Sequence, residues 1–197
     1  MRSLPALTDD GRVKTFGELI PRRYRRKGLS SSELAAAQEQ TETVFPDDLC
    51  ELLTTTLPTG KAFPDWRHHP RSAMDEWRDW IVRGFQFALT DDYWPPEWGE
   101  RPTEPHEART AVAQLLADVP AMIPIFAHRA IPNEPTDAGN PVFSIMGTDI
   151  IVYGDDLGDY LLNEFHRRGG RDEKLASNAR SIRFWTNVMD YYPEEYD

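Results

Sequence analysis

A histidine, an arginine and an aspartate offer the sharpest chemistry in this chain. His128 and Arg129 follow the apolar run 122–126, and Asp149 opens a second apolar run, 149–153. If the strand that ends at Ala127 pairs with the strand that starts at Asp149, a carboxylate, an imidazole and a guanidinium converge. Together they could bind an anion or relay a proton. The same residues have a structural reading, in which an Arg129–Asp149 ion pair locks the loop and His128 bonds to backbone.

Other chemistries find fewer residues. The five histidines, His68, His69, His106, His128 and His166, include no HxxxH pair, and Cys50 has no second cysteine beside it. Zinc spacing is therefore missing and no metal is expected. Ser144 and Ser181 sit in no Gly-x-Ser-x-Gly elbow. Cys50 lies between Leu49 and Leu52 on an apolar helix face, where a buried, inert thiol is the default. There is no P-loop and no GxGxxG, so no cofactor is expected. Trp77 and Trp80 have core spacing. Trp94 and Trp98 lie in a proline-stiffened loop as an exposed pair. With Asp91, Asp92, Glu97 and Glu100 they make a candidate protein-binding rim.

Charge divides the chain. The net charge is −11, yet residues 1–29 carry eight bases and three acids, whereas residues 30–197 carry fourteen bases and thirty acids. Between Arg129 and His166 stand seven acids and no base: Glu134, Asp137, Asp149, Asp155, Asp156, Asp159 and Glu164. An acidic body repels nucleic acid and anionic membrane and attracts basic partners; acidity also simply keeps a protein in solution. The basic cluster 21–28, PRRYRRKG, is the one place where nucleic acid or an acidic partner could be met. Its alternative is a solvated tail that offsets part of the body's charge. No apolar run approaches the roughly 20 residues of a membrane helix. The opening MRSLPALTDDGRVK has no apolar h-region, so no secretory signal is expected. A single cysteine fits a cytoplasmic protein.

The elements that must position these residues follow from periodicity and punctuation. Ser30–Ser32 with Glu33 open a helix over 32–44. Pro46, with Asp47 and Asp48, opens a second over 46–57. Trp77, Trp80 and Ile81 share a helical face. Residues 84–89 alternate weakly and read as a strand. A helix is expected over 105–119. Residues 122–126 read as a strand interrupted by Pro124, which implies an edge position or a bulge. Residues 128–140 read as an ordered loop, and 142–145 and 149–153 as a hairpin turned at Gly147. Asp155 and Asp156 cap a helix over 156–168, and a last helix is expected over 174–189. The order predicts an α+β fold, not a doubly wound sheet.

Three stretches resemble the SUKH superfamily, the Smi/Knr-like proteins. A helix with Glu39 leads through Phe45-Pro46 to DDLCELLTT; GFQFALTDDYWPPEWGERP is similar to a strand and aromatic loop of bacterial members; and IPIFAHRAIPNEP…GNPVFSIMGTDIIVYGDDLGDYLLNEF is similar to the C-terminal hairpin and helix of a bacterial subgroup. The resemblance covers about two-thirds of the chain. Pro58-Thr59-Gly60 stands where the family usually has an Asn-Gly-like turn. The resemblance implies a single α+β domain with a mixed or antiparallel sheet flanked by helices. On that reading, residues 1–29 form a basic arm, 30–168 the SUKH-like domain, and 169–197 a helix and acidic tail packed on it. It also implies a non-enzymatic immunity protein that neutralises a cognate bacterial toxin, often a nuclease, or else a regulatory scaffold. The partner-binding candidates are then Asp91, Asp92, Trp94, Glu97, Trp98, Glu134, Asp137, Asp155, Asp156 and Asp159, facing a basic toxin domain. A small enzyme using His128, Arg129 and Asp149 is the remaining alternative.

Overall fold

The structure, a computed structural model, describes residues 6–7, 13–167 and 178–191. Short strands β1 (Ala6–Leu7) and β2 (Val13–Lys14) pair antiparallel, and α1 (Phe16–Leu19) follows. After a 3₁₀ turn, β3 (Arg25–Lys27) leads to α2 (Ser31–Thr41). Here Ser30 and Glu33 form a reciprocal capping box, Glu33 accepting the Ser30 N–H at 2.7 Å. Pro46 caps α3 (Asp47–Thr55), and β4 (Thr56–Pro58) returns antiparallel along β3. The longest helix, α4 (Pro70–Ala88), is followed by α5 (Pro105–Ala117). Strands β5 (Met122–Phe126), β6 (Arg129–Pro132), β7 (Val142–Met146) and β8 (Asp149–Gly154) form an antiparallel meander in the order β5-β6-β7-β8. Helices α6 (Leu157–Phe165) and α7 (Trp185–Asp190) complete the described chain. The architecture is α+β, as the element order anticipates.

The sheet lies between two helical layers, because the side chains of a strand alternate between its faces. Ile123, Ile125 and Ile131 join Leu19, Leu52, Leu53, Tyr160 and Leu161 in one core, under α1, α3 and α6. Met122, Ala130, Phe143, Ile145 and Ile150 join Trp77, Ile81, Phe85, Val112 and Trp185 in the other, under α4, α5 and α7. Pro124 has both features its presence in a strand implies: β5 is an edge, and its register slips between Pro124 and Phe126.

Four expectations are corrected. Residues 84–89 are not a strand, since α4 runs through them to Ala88. Met74, Trp77, Ile81, Phe85 and Ala88 are its buried stripe, and this helical spacing overrides the weak alternation. Gly84 is tolerated mid-helix because a Cβ there would lie 2.7 Å from the Gly147 Cα. The expected loop 128–140 contains β6, whose Ala130 and Ile131 are fully buried. The expected helix 174–189 is helical only from Trp185; residues 174–177 lie outside the described residues. Residues 178–183 spend their hydrogen bonds elsewhere: the Asn178 N–H on Asp155, Arg180 on the Asn140 side chain, Arg183 on the Asp118 carbonyl. Finally, the domain begins before Ser30. Phe16, Leu19, Ile20 and Leu29 are buried in the first core, so residues 15–29 are part of the fold.

Candidate functional site

The order β5-β6-β7-β8 decides the fate of the acid-base constellation. The strand ending near Ala127 pairs with β6, and β8 lies at the opposite edge. Three strand spacings put these edges about 14 Å apart. Asp149 pairs with Met146 across the hairpin and its side chain is exposed. It does not meet Arg129. The guanidinium of Arg129 sits under α6, donating from Nη1 to Ser144 Oγ at 2.8 Å and covering the Tyr153 ring at 3.9 Å. Its carboxylate neighbour is Glu164, 3.6 Å from Nε. Burial holds the Glu164 carboxyl above its ordinary range, with Arg129 pulling it back in part. The expected Arg129–Asp149 ion pair is thus replaced by Arg129–Glu164.

His128 faces something else. It lines a cleft of about 810 Å³ between residues 61–65, α4 and the end of β5. Phe63, Trp77, Trp80 and Phe126 supply aromatic walls, and Asp65, Glu76, Asp79 and His69 supply polar groups. Partial burial lowers the His128 pKa, and the Arg129 charge lowers it further, so the imidazole is neutral at neutral pH. A cleft of this size with aromatic walls and convergent polar groups can hold a ligand. Asp65, Glu76, Asp79 and His69 were not among the sequence candidates. Their signal, positions 69, 76, 79, 80 and 83 on one side of a helix, needed α4 at its full length. Among the described residues no group of three or more His, Cys, Asp or Glu side chains could hold a metal ion. Burial pushes the Cys50 thiol up to about 11, which suits an inert side chain.

The acidic candidates separate into three groups. Asp155, Asp156 and Asp159 are half-buried and internally engaged: Asp156 accepts the Asp159 N–H at 2.8 Å, Asp159 accepts the Asp155 N–H at 3.1 Å and pairs with Arg167, and Asp155 accepts the Asn178 N–H. They cap α6 and anchor its ends. Asp91, Asp92 and Glu97 are exposed, with Asp92 ion-paired to Arg101 at 2.7 Å. Trp94 and Trp98 are only half-exposed; Trp94 donates to the Gly99 carbonyl and Trp98 stacks on Phe184 at 6.0 Å. Their aromatic faces mostly finish the second core.

Glu134 and Asp137 form the third group. Both are exposed, and neither makes an ion pair among the described residues. The loop that carries them is pinned from below. Buried Asn140 donates from Nδ2 to the carbonyls of Pro132 and Pro135, at 3.0 and 2.7 Å. Buried Asp48 accepts the Gly139 N–H at 3.0 Å, and the Asp47 N–H donates to the Thr136 carbonyl at 2.9 Å. The carboxylates therefore stand on a fixed scaffold beside the start of α3, where Asp47 adds another exposed charge.

No helix among the described residues is long and apolar enough to cross a membrane. Comparisons with protein-family models, with curated proteins and with solved structures give no match.

Proposed function

We propose that this protein is a cytoplasmic, non-enzymatic binding module of the SUKH type, an immunity protein that captures and neutralises a basic toxin domain, a nuclease among the candidates. The observation that carries this reading is the pinned loop with Glu134 and Asp137 exposed and, among the described residues, without an ion pair, on a body of net charge −11. Nuclease domains hold phosphates with basic surfaces. A fixed acidic edge matches that potential, speeds association by steering, and loses little entropy on binding. The resemblance at residues 123–165 supports the same reading. The test is association with the product of an adjacent toxin-like gene. Charge reversal, Glu134→Lys with Asp137→Lys, is expected to slow association at least tenfold at low salt and to leave the melting temperature unchanged. Unaltered association by that variant sinks the proposed surface. A toxin-like neighbour also separates this reading from an adaptor with another basic partner.

The cleft favours a second reading, a small enzyme in which neutral His128 serves as the base. Arg129 and Asp149 have no part in it. Chemical shifts confined to His128, His69 and Trp80 in a titration with small-molecule fragments support it; a cleft silent to every fragment removes it.

A further inference from the structure

The basic cluster has a place in the fold that its sequence does not announce. Arg25, Arg26 and Lys27 form β3, and β4 lies against it with Arg25 opposite Pro58, Arg26 opposite Leu57 and Lys27 opposite Thr56. Residues 19–32 contain five bases and no acid; residues 52–61, which hold the partner strand, contain Lys61 and no acid. Pairing β3 with β4 thus joins two acid-free segments into one basic ribbon on an acidic protein.

The ribbon is ordered, and its charge is unspent among the described residues. Arg25 is partly buried and donates to the Ile20 and Glu18 carbonyls, which fixes the strand. Arg22, Arg23, Arg26 and Lys27 are exposed. Arg23 leans on the Tyr24 ring at 4.6 Å, and Arg26 donates from Nη1 to the Arg25 carbonyl at 2.8 Å. Among the described residues none of these bases, nor Lys61, makes an ion pair. The nearest carboxylates in sequence are occupied: Glu33 by Ser30 and Arg67, Glu18 by the Thr15 N–H.

We propose that the β3–β4 ribbon is a phosphate-binding surface that takes the backbone of a nucleic acid. At about 2 Å per residue in the 3₁₀ turn and 3.3 Å in the strand, Arg22 to Lys27 span about 13 Å. One strand of a duplex presents about four phosphates over that length, which matches the four exposed cations. An acidic protein fits less well, because protein interfaces place aromatic or aliphatic side chains at their centre. The exposed large hydrophobics, Val44, Phe87, Met146 and Ile151, all lie outside both segments. The Tyr24 ring is turned inward onto Phe63 and Phe165. An anionic membrane likewise finds no apolar side chain here to insert.

The test is fluorescence anisotropy on the intact chain with four probes: a labelled 20-nucleotide single-stranded RNA, a 20-base-pair DNA duplex, poly-glutamate, and vesicles containing phosphatidylserine. RNA or DNA is expected to bind best, and more weakly at 200 mM salt than at 50 mM by about 50-fold for the single strand and about 150-fold for the duplex, the dependences that four phosphate contacts produce. Arg22→Ala with Arg23→Ala, Arg26→Ala and Lys27→Ala should abolish binding. Arg22→Glu with Lys27→Glu, two side chains without hydrogen bonds among the described residues, should abolish it without altering the melting curve. No binding of either nucleic acid at 50 mM salt, tighter binding of poly-glutamate or vesicles, or full binding by the double variant overturns the proposal.

Discussion

Arg129 and Glu164 face each other between the sheet and α6, Nε to Oε2 at 3.6 Å, with both side chains largely buried. The arginine has further partners in Ser144 and the Tyr153 ring; among the described residues the Glu164 Oε2 has no hydrogen bond. The pair is therefore lopsided. Arg129→Met removes three contacts and strands a buried carboxylate, and is expected to cost about 3 kcal/mol. Glu164→Gln removes a charge that burial already disfavours, and should cost about half as much. Urea unfolding of the two variants measures the difference; equal losses contradict it.

Two buried carboxyls set the acid response. Burial holds both Asp48 and Glu164 above the ordinary range. Each binds its proton more tightly folded than unfolded, so stability grows as pH falls from neutral through the folded values and stops growing below the unfolded ones. Glu33 acts in the opposite sense. The Ser30 backbone and hydroxyl, with Arg67, hold it at about 2 against an ordinary 4.5, so its contribution is complete above 4.5 and fades as pH falls toward 2. The melting temperature should peak on the acid side of neutrality, and Asp48→Asn with Glu164→Gln should flatten the acid-side rise. A melting temperature that falls steadily from about pH 7 to about pH 5 contradicts this account.

Gly84 is a packing requirement. Its Cα side meets the hairpin turn at Gly147, itself at φ +66, and any Cβ would come within 2.7 Å of backbone. Gly84→Ala raises helix propensity by about 1 kcal/mol yet is expected to destabilise by about 2 kcal/mol net, because neither backbone can yield cheaply. Calorimetry that finds the variant more stable excludes this contact.

Asp156→Ala should cost about 1 kcal/mol by removing the cap on the Asp159 N–H. Partner association should be unaffected by the same variant. Lost association with an intact fold would return Asp156 to the binding surface.

Much of the fold was legible because its signals were local. Pro46 with two aspartates opened α3, Gly147 turned the hairpin, Asp156 capped α6, and Pro124 marked an edge with a bulge. What was not legible depended on distant partners. Arg129 chose Glu164 over Asp149 because, from β6, its side chain reaches β8 at Tyr153, whereas Asp149 sits at the other end of β8 beside the hairpin turn, and no pattern in the strands states that register. Residues 84–89 look like a strand until Gly84 has Gly147 to meet. The acids of 155–159 looked like a surface charge run, but Asp156 caps the Asp159 amide, Asp159 accepts the Asp155 amide and Asp155 accepts the Asn178 amide. The basic cluster looked like a tail because the neutral strand that holds it lies some thirty residues on.

The Leu19 carbonyl is 2.9 Å from His166 Nε2, a contact across 147 positions, and Phe16, Leu19 and Ile20 share a core with Leu157, Tyr160 and Leu161. Synthesis reads the two ends of that core far apart in time. At roughly 5–20 residues per second, the α1 side chains wait about 7–30 s for α6 to be made. The apolar side chains of α1 are covered late, and through that interval their protection falls to whatever meets the nascent chain.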